Sequence, residues 1–568
     1  MDVLSRESAL LAGIAVFTLY LLHSVRARRK GGLPPGPPGI PILGNLLQLN
    51  PLRPHPTYLK WAQKYGPIFS IKLGMQRVIV LNTAEVADEL LVTRSKLYSS
   101  RPDLHVASDL VSDGQRMVLM ANNRELKIAR RTLQGILSPG PSKKMRNMQD
   151  LESRVLLHDL VAHGDSSLTE TFTEGPHGEV PERHWFSVFR RYTTTIVMSL
   201  SYGQRMNRFL DNPDLHKVYE AMSVFMHASE PGNYLADVFP ILRRLPDMLA
   251  PWRKEGRRMH EWQMGLWGKL LDECSSDIAK GIARTGFVSD YLRARAEAGL
   301  GDLPGNGATE DGVGWMRDKF LAYTAASVLE AGSDSSSTVM FSFILFMLTN
   351  PAALQRAREE MDRVIGPDRM PGWEDEDRLP WLVACIKETL RVRPPFISGL
   401  PHVAEEDDVY KGYFIHKGSM VIGNVHGIHM DPARYPNPSV FDPERFYNAD
   451  SGLQWNSGPD SQNRANYVFG WGRRFCIGKH LAEASVFIVL ARLVWGVDFY
   501  APADSRTGMP ILPDVKDEAS WTDGLVSAPK IFSVGFRPRS EKHAEVIRRS
   551  YVDVQAEWEA LGQPVDMQ

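Results

Sequence analysis

One short stretch constrains this chain more than any other. Phe469-Gly-Trp-Gly-Arg-Arg-Phe-Cys-Ile-Gly478 fills every fixed position of the pattern F-x-x-G-x-R-x-C-x-G. At average residue usage, a random chain of this length would contain it on the order of once in ten thousand. Glycines at this spacing allow a loop backbone to turn and to approach a neighbouring group closely. The chain has only three cysteines, Cys274, Cys385 and Cys476. An odd, widely spaced set is a poor disulfide framework and fits a reducing compartment. At least one cysteine is therefore free for chemistry; Cys274 and Cys385 read as core or surface thiols without function.

Two upstream patterns accompany the loop. Glu388-Thr-Leu-Arg391 lies on an apolar-patterned helix expected from Leu382 to Val392, and Phe441-Asp-Pro-Glu-Arg-Phe446 follows it. Ala331-Gly-Ser-Asp-Ser-Ser336 interrupts a long apolar run expected to be helical from about Val313 to Leu348. Either feature alone is weak, since i,i+3 charge pairs are common on solvated helix faces. Together with the cysteine loop they resemble the cytochrome P-450 superfamily, over nearly the whole chain from Pro34 to about Pro538. Within it, the chain is similar to fungal microsomal enzymes of the O-methylsterigmatocystin oxidoreductase-like group.

The resemblance implies haem b with Cys476 as axial ligand of the iron, because a thiolate pushes electron density onto iron and favours O–O cleavage. Gly478 and the loop glycines would let the backbone approach the porphyrin, and Phe469 would shield the thiolate. Arg474, Arg130 and His402 would contact the haem propionates. At Leu126 the family's tryptophan is missing, so one donor is lost unless Lys127 replaces it. Glu388, Arg391 and Arg445 would form a buried structural triad behind the haem loop. Asp334 and Ser335 would relay protons beside a local opening of the helix at Gly332. Serine at 335, where the family usually has threonine, keeps the hydroxyl and loses the methyl that stiffens χ1. Glu330, just before this motif, either meets substrate or is paired internally. His426-Gly-Ile-His429 falls in a loop-like stretch and reads as surface, not as a metal site.

The N-terminus adds a membrane signal. Ser8 to Val25 contains no Lys, Arg, Asp or Glu, and Arg26, Arg28, Arg29 and Lys30 follow. The run is just long enough to span a bilayer, and the basic cluster behind it predicts a cytosolic body. A cleaved secretory signal fits less well, because there the basic cluster precedes the apolar run. The reading is therefore single-pass in the endoplasmic reticulum membrane, with an anchor over 1–30. A Pro/Gly-rich hinge at 31–50, a catalytic domain at 51–540 and a C-terminal tail at 541–568 follow. The catalytic part is expected to be one large, mainly α domain with a small β region around Phe69–Leu73 and Val78–Leu81.

A formal net charge of −1 gives no sign of nucleic-acid binding. Nor does a glycine fingerprint open a βαβ unit for a nucleotide cofactor. Electrons from NADPH would then come through an external flavoprotein, an NADPH–cytochrome reductase, with a cytochrome b-type protein as a second donor. Lys127, Arg131, Lys143, Lys144, Arg473 and Lys479 are candidates for its docking face. The anchor and the apolar stretch Tyr234 to Leu242 imply a lipophilic small-molecule substrate, met by Arg101–Met120, Met206–Pro251, Phe396–Leu400 and Thr522–Val526. The expected reaction is insertion of oxygen from O2 in fungal secondary-metabolite biosynthesis. The alternatives are a haem-thiolate isomerase or dehydratase that does not need O2, and a haem-binding sensor or carrier without turnover.

Overall fold

The computed structural model describes residues 32–561 apart from 171, 173–180, 182, 207–212, 231 and 448–463. The expected membrane anchor lies outside the described residues. The β region forms as the alternation predicts. Strands β1 (Ile68–Leu73) and β2 (Gln76–Leu81) pair antiparallel, with Phe69 opposite Val80. Two later strands, β3 (His402–Val403) and β6 (Met420–Gly423), complete a sheet of order β1-β2-β6-β3. Between them, β4 (Asp408–Tyr410) and β5 (Tyr413–Ile415) form a hairpin. The expected hinge is docked on this sheet: Ser70 donates its backbone N–H to Pro35 O at 2.8 Å and its hydroxyl to Pro34 O at 2.6 Å.

The principal helices are α1 (His55–Tyr65), α2 (Arg124–Leu137), α3 (Arg146–His163), α4 (Phe186–Tyr202), α5 (Pro213–Ser229), α6 (Pro251–Ala279), α7 (Asp318–Thr349), α8 (Pro351–Val364), α9 (Pro380–Val392), α10 (Lys479–Gly496) and α11 (Glu541–Ala560). Helix α7 is the core: Phe320 to Leu329 and Ser336 to Met347 are almost continuously buried. Among the described residues it alone is long and apolar enough to cross a membrane, and it is covered by protein. Helix α4 lies tightly along it. Phe186 and Phe341 stack at 3.8 Å between ring centroids, and a Cβ on Gly332 would meet Val197 Cγ1 at 2.3 Å.

Gly332 therefore serves close helix packing, and α7 runs unbroken past it. The expected local opening is absent. The segment beyond 540, expected as a tail, begins as α11, N-capped by the Ser540 hydroxyl. It buries Tyr551, Val554 and Trp558 against Leu151 and Val155 of α3. Strands β7 (Val497–Tyr500) and β8 (Gly535–Pro538) pair just before it and tie this end into the fold.

Candidate haem site

The cysteine loop is shaped by its glycines. Gly470 and Gly472 have φ of +74° and +49°. A Cβ at Gly472 would come within 2.2 Å of Leu91 O, so no larger residue fits. The Cys476 N–H donates to Phe469 O at 2.9 Å, which closes the loop. Burial raises the Cys476 thiol, while the Gly478 N–H, Arg130 and the Lys479 N–H lower it. These amides are aimed at the sulfur from the start of α10, as a thiolate ligand requires. Although the chain surrounds it, Cys476 keeps an exposed face. A Cβ on Gly478 would touch only the Cys476 sulfur, at 3.9 Å.

Above the loop sits a cluster of cations. Arg130 of α2 donates to Phe475 O at 2.8 Å. Arg474 donates through Nε to Ser99 O at 2.6 Å and through Nη2 to Met120 O. Arg101 donates to Leu400 O at 3.0 Å and to Pro401 O. The Ser100–Val403 bridge sets Arg101 beside His402, whose Nδ1 bonds to Tyr98 O at 2.6 Å. Burial and then the neighbouring Arg101 and Arg130 push Arg474 down to about 8. Burial and Arg130 push Arg101 to about 10, and burial also lowers Arg130.

Among the described residues none of the three guanidiniums forms an ion pair. Glu405, which Arg474 feels, is engaged by Asn122 Nδ2 at 3.1 Å. Three crowded, half-buried cations without a carboxylate match the carboxylates of haem propionates. The thiol and this cation set thus fit haem. From sequence Arg101 reads only as the edge of a substrate region; no motif singles it out. Burial, then Arg101, hold His402 neutral. With its Nδ1–H on Tyr98, its Nε2 is an acceptor until an added proton makes it a donor. Leu126 is buried and Lys127 exposed, so Lys127 does not stand in for the missing tryptophan.

Behind the loop, the expected triad forms. Arg391 Nε and Nη2 each donate to Glu388 at 2.7 Å, and Arg445 Nε donates to Glu388 Oε1 at 3.1 Å. The reading of His426 and His429 as surface residues is corrected. They sit on a helical turn, Val425–His429, capped by the Asn424 side chain, and both are buried. His429 donates from Nδ1 to Arg391 O and accepts the Tyr467 N–H at Nε2, both at 2.9 Å. Burial first, then Arg391, press it to about 3, so it is neutral. It links the triad to the segment that carries Cys476. Arg464 strengthens that link by donating to Gly470 O at 2.6 Å and to Asp88 at 2.7 Å.

On the other side, α7 exposes Ala331 between buried stretches. Asp334 pairs with Arg190 of α4 at 3.3 Å, and Arg190 lies 4.8 Å over the Tyr219 ring. The Ser335 hydroxyl donates back to Ala331 O at 2.7 Å. Glu330 is paired internally: Arg116 Nη1 donates to both its oxygens at 2.9 Å. Arg116 also donates to Gln263 Oε1 at 2.8 Å. Of the residues proposed for a docking face, Arg131, Lys143, Lys144 and Arg473 are exposed with Lys127. Lys479 is not: it is buried, with Nζ on Glu483 at 2.8 Å.

The family model described as Cytochrome P450 matches residues 34–505. Cytochrome P450 monooxygenase 79 of Postia placenta is 64% identical over 562 residues, covering 99% of both chains. Cytochrome P450 monooxygenase virE of Hypocrea virens is 33% identical, covering 95% of this chain and 92% of its own. Cytochrome P450 monooxygenase fogE of Aspergillus ruber is also 33% identical, with 95% and 93% covered. A family match across the catalytic body, full-length relatives that are monooxygenases, and a thiol beneath unpaired guanidiniums agree: the chain belongs to the cytochrome P450 family.

Proposed function

We propose that this chain is a membrane-anchored haem-thiolate monooxygenase of fungal secondary metabolism. It inserts one oxygen atom of O2 into a lipophilic small molecule, with electrons from NADPH through a separate flavoprotein reductase. The observation that carries the reading is the Arg101–Arg130–Arg474 cluster beside the Cys476 loop. When bound, haem supplies iron able to activate O2. Cys476 ligates it, while Gly478 and Lys479 amides hold the sulfur's charge. Arg101 supplies a propionate contact that compensates for Leu126. Asp334 is the acid nearest the predicted relay position, and its release from Arg190 would let it pass a proton to Ser335.

Lipid contact is supported by an exposed apolar face. Gly74, at the β1–β2 turn, packs on Val238 and donates its N–H to Leu43 O at 3.1 Å. Exposed Ile42, Met75, Leu235 and Ile241 therefore gather where the chain arrives from its N-terminus. A patch of this kind marks a membrane or partner surface, and Arg243 and Arg244 lie within it in sequence.

The test is turnover by purified enzyme with reductase in lipid vesicles, against a terpenoid, polyketide and indole-alkaloid panel. Product that requires both NADPH and O2 is expected. Turnover without either would replace this reading with the isomerase or dehydratase.

A further inference from the structure

Beneath the cysteine loop, α10 carries a buried charge cluster that the oxygen chemistry does not use. Glu483 and Lys479 lie one turn apart and are 9% and 4% exposed. Lys479 Nζ donates to Glu483 Oε2 at 2.8 Å, while its backbone N–H serves the Cys476 sulfur. Its ammonium also lies 5.8 Å from the centre of the Phe469 ring. Glu483 Oε1 is buried and has no hydrogen-bond partner among the described residues.

The charged groups around Glu483 come from three elements. Lys479 is on its own helix, Lys387 comes from α9, and Glu376 from the turn Trp373–Arg378 that packs on α10. From α2, Arg130 acts on Cys476, and α3 presents the neutral Gln149, bonded to Ser485. Cys476 in turn feels Glu483. Burial, opposed by Lys479, pushes Glu483 up to about 7. Burial in turn lowers Lys387.

We propose that Glu483 takes up a proton when the haem iron is reduced, keeping the charge beneath Cys476 constant. The inference rests on the haem-thiolate reading. Reduction brings one electron from a one-electron donor, the flavoprotein in the cell or dithionite in the cuvette. That electron makes the loop more negative. A carboxylate within reach of the same field then binds a proton from solvent more tightly. Its lone oxygen is the place for that proton, because the other is occupied by Lys479. Glu483 is thus a positioning residue for charge. It touches neither substrate nor iron.

Linkage gives the sign. A group that binds protons more tightly in the reduced state makes the reduction potential fall as pH rises through its titration range. The test is a dithionite titration of the holoenzyme with redox mediators between pH 5.5 and 9, saturated with imidazole so that no water ligand titrates. The wild-type potential is expected to fall with rising pH across the neutral range. In Glu483→Gln it stays level there. A reduced-minus-oxidised infrared spectrum should show a protonated carboxyl band that this variant lacks.

If Glu483→Gln does not fold, Lys387→Gln reads the same group. Removing a cation makes the carboxylate harder to ionise, so the fall begins at higher pH. A Glu483→Gln variant that keeps the wild-type decline, or a Lys387→Gln profile that does not move, overturns the proposal. A wild type without the red-shifted carbon monoxide band would instead overturn the haem-thiolate reading. A normal band with a level wild-type potential overturns this inference alone.

Discussion

At the scale of single residues, the proposed site rests on cations that lack a carboxylate partner among the described residues. Arg101→Met removes a donor to a carboxylate, and such charged hydrogen bonds contribute about 1.5–3 kcal/mol. Transfer of haem to apomyoglobin should therefore be roughly tenfold faster or more than in wild type, with the thiolate spectrum retained. An unaltered transfer rate would remove Arg101 from the propionate set. Ser335→Ala tests the relay. It should divert reducing equivalents to peroxide while haem content stays the same, and unaltered coupling would show that another group places the proton. Most of these residues were legible, because motif spacing places Cys476, Arg474, Glu388 and Arg391 without reference to the fold. Arg101 and His429 were not. Their roles arise from a β-bridge and a helical turn that bring together segments some 300 and 40 residues apart in sequence.

Between elements, the contact of α4 with α7 explains Gly332. Alanine in a helix interior normally improves on glycine by up to about 1 kcal/mol. Here its Cβ would collide with Val197 Cγ1, and overpacking costs about 1–3 kcal/mol. Gly332→Ala should thus lower the urea midpoint, and Val197→Ala in the same chain should recover part of the loss. A stabilised Gly332→Ala would show that the helices are free to separate. The apolar run predicted α7 well, with its start displaced from Val313 to Asp318. The expected opening at Gly332 failed because sequence alone cannot tell a glycine that loosens a helix from one that admits a neighbour. In the same way, α11 read as a tail because its apolar positions gain meaning only from α3.

For the molecule as a whole, buried neutral histidines set the acid limit of stability. Burial holds His429 and His184 near 3, while in the unfolded chain they titrate near 6.5. Between those values the unfolded state binds more protons, so stability is full above about pH 6.5 and falls as pH drops toward 3. Each contributes at most about 1.4 kcal/mol per pH unit. Urea titrations from pH 7 to 4 should show this slope, reduced in His429→Gln; an identical slope would assign the protons elsewhere. Ending the chain after Ser540 should also destabilise it, by roughly 1.5–3 kcal/mol for each large apolar side chain uncovered. An unchanged urea midpoint would show that α11 adds nothing. The central claim is that Cys476 ligates haem iron as a thiolate, and the spectrum of the reduced carbon monoxide complex tests it most directly. Wild-type enzyme should show the red-shifted Soret band of thiolate ligation and Cys476→Ser should lack it; the same band in both would contradict the account.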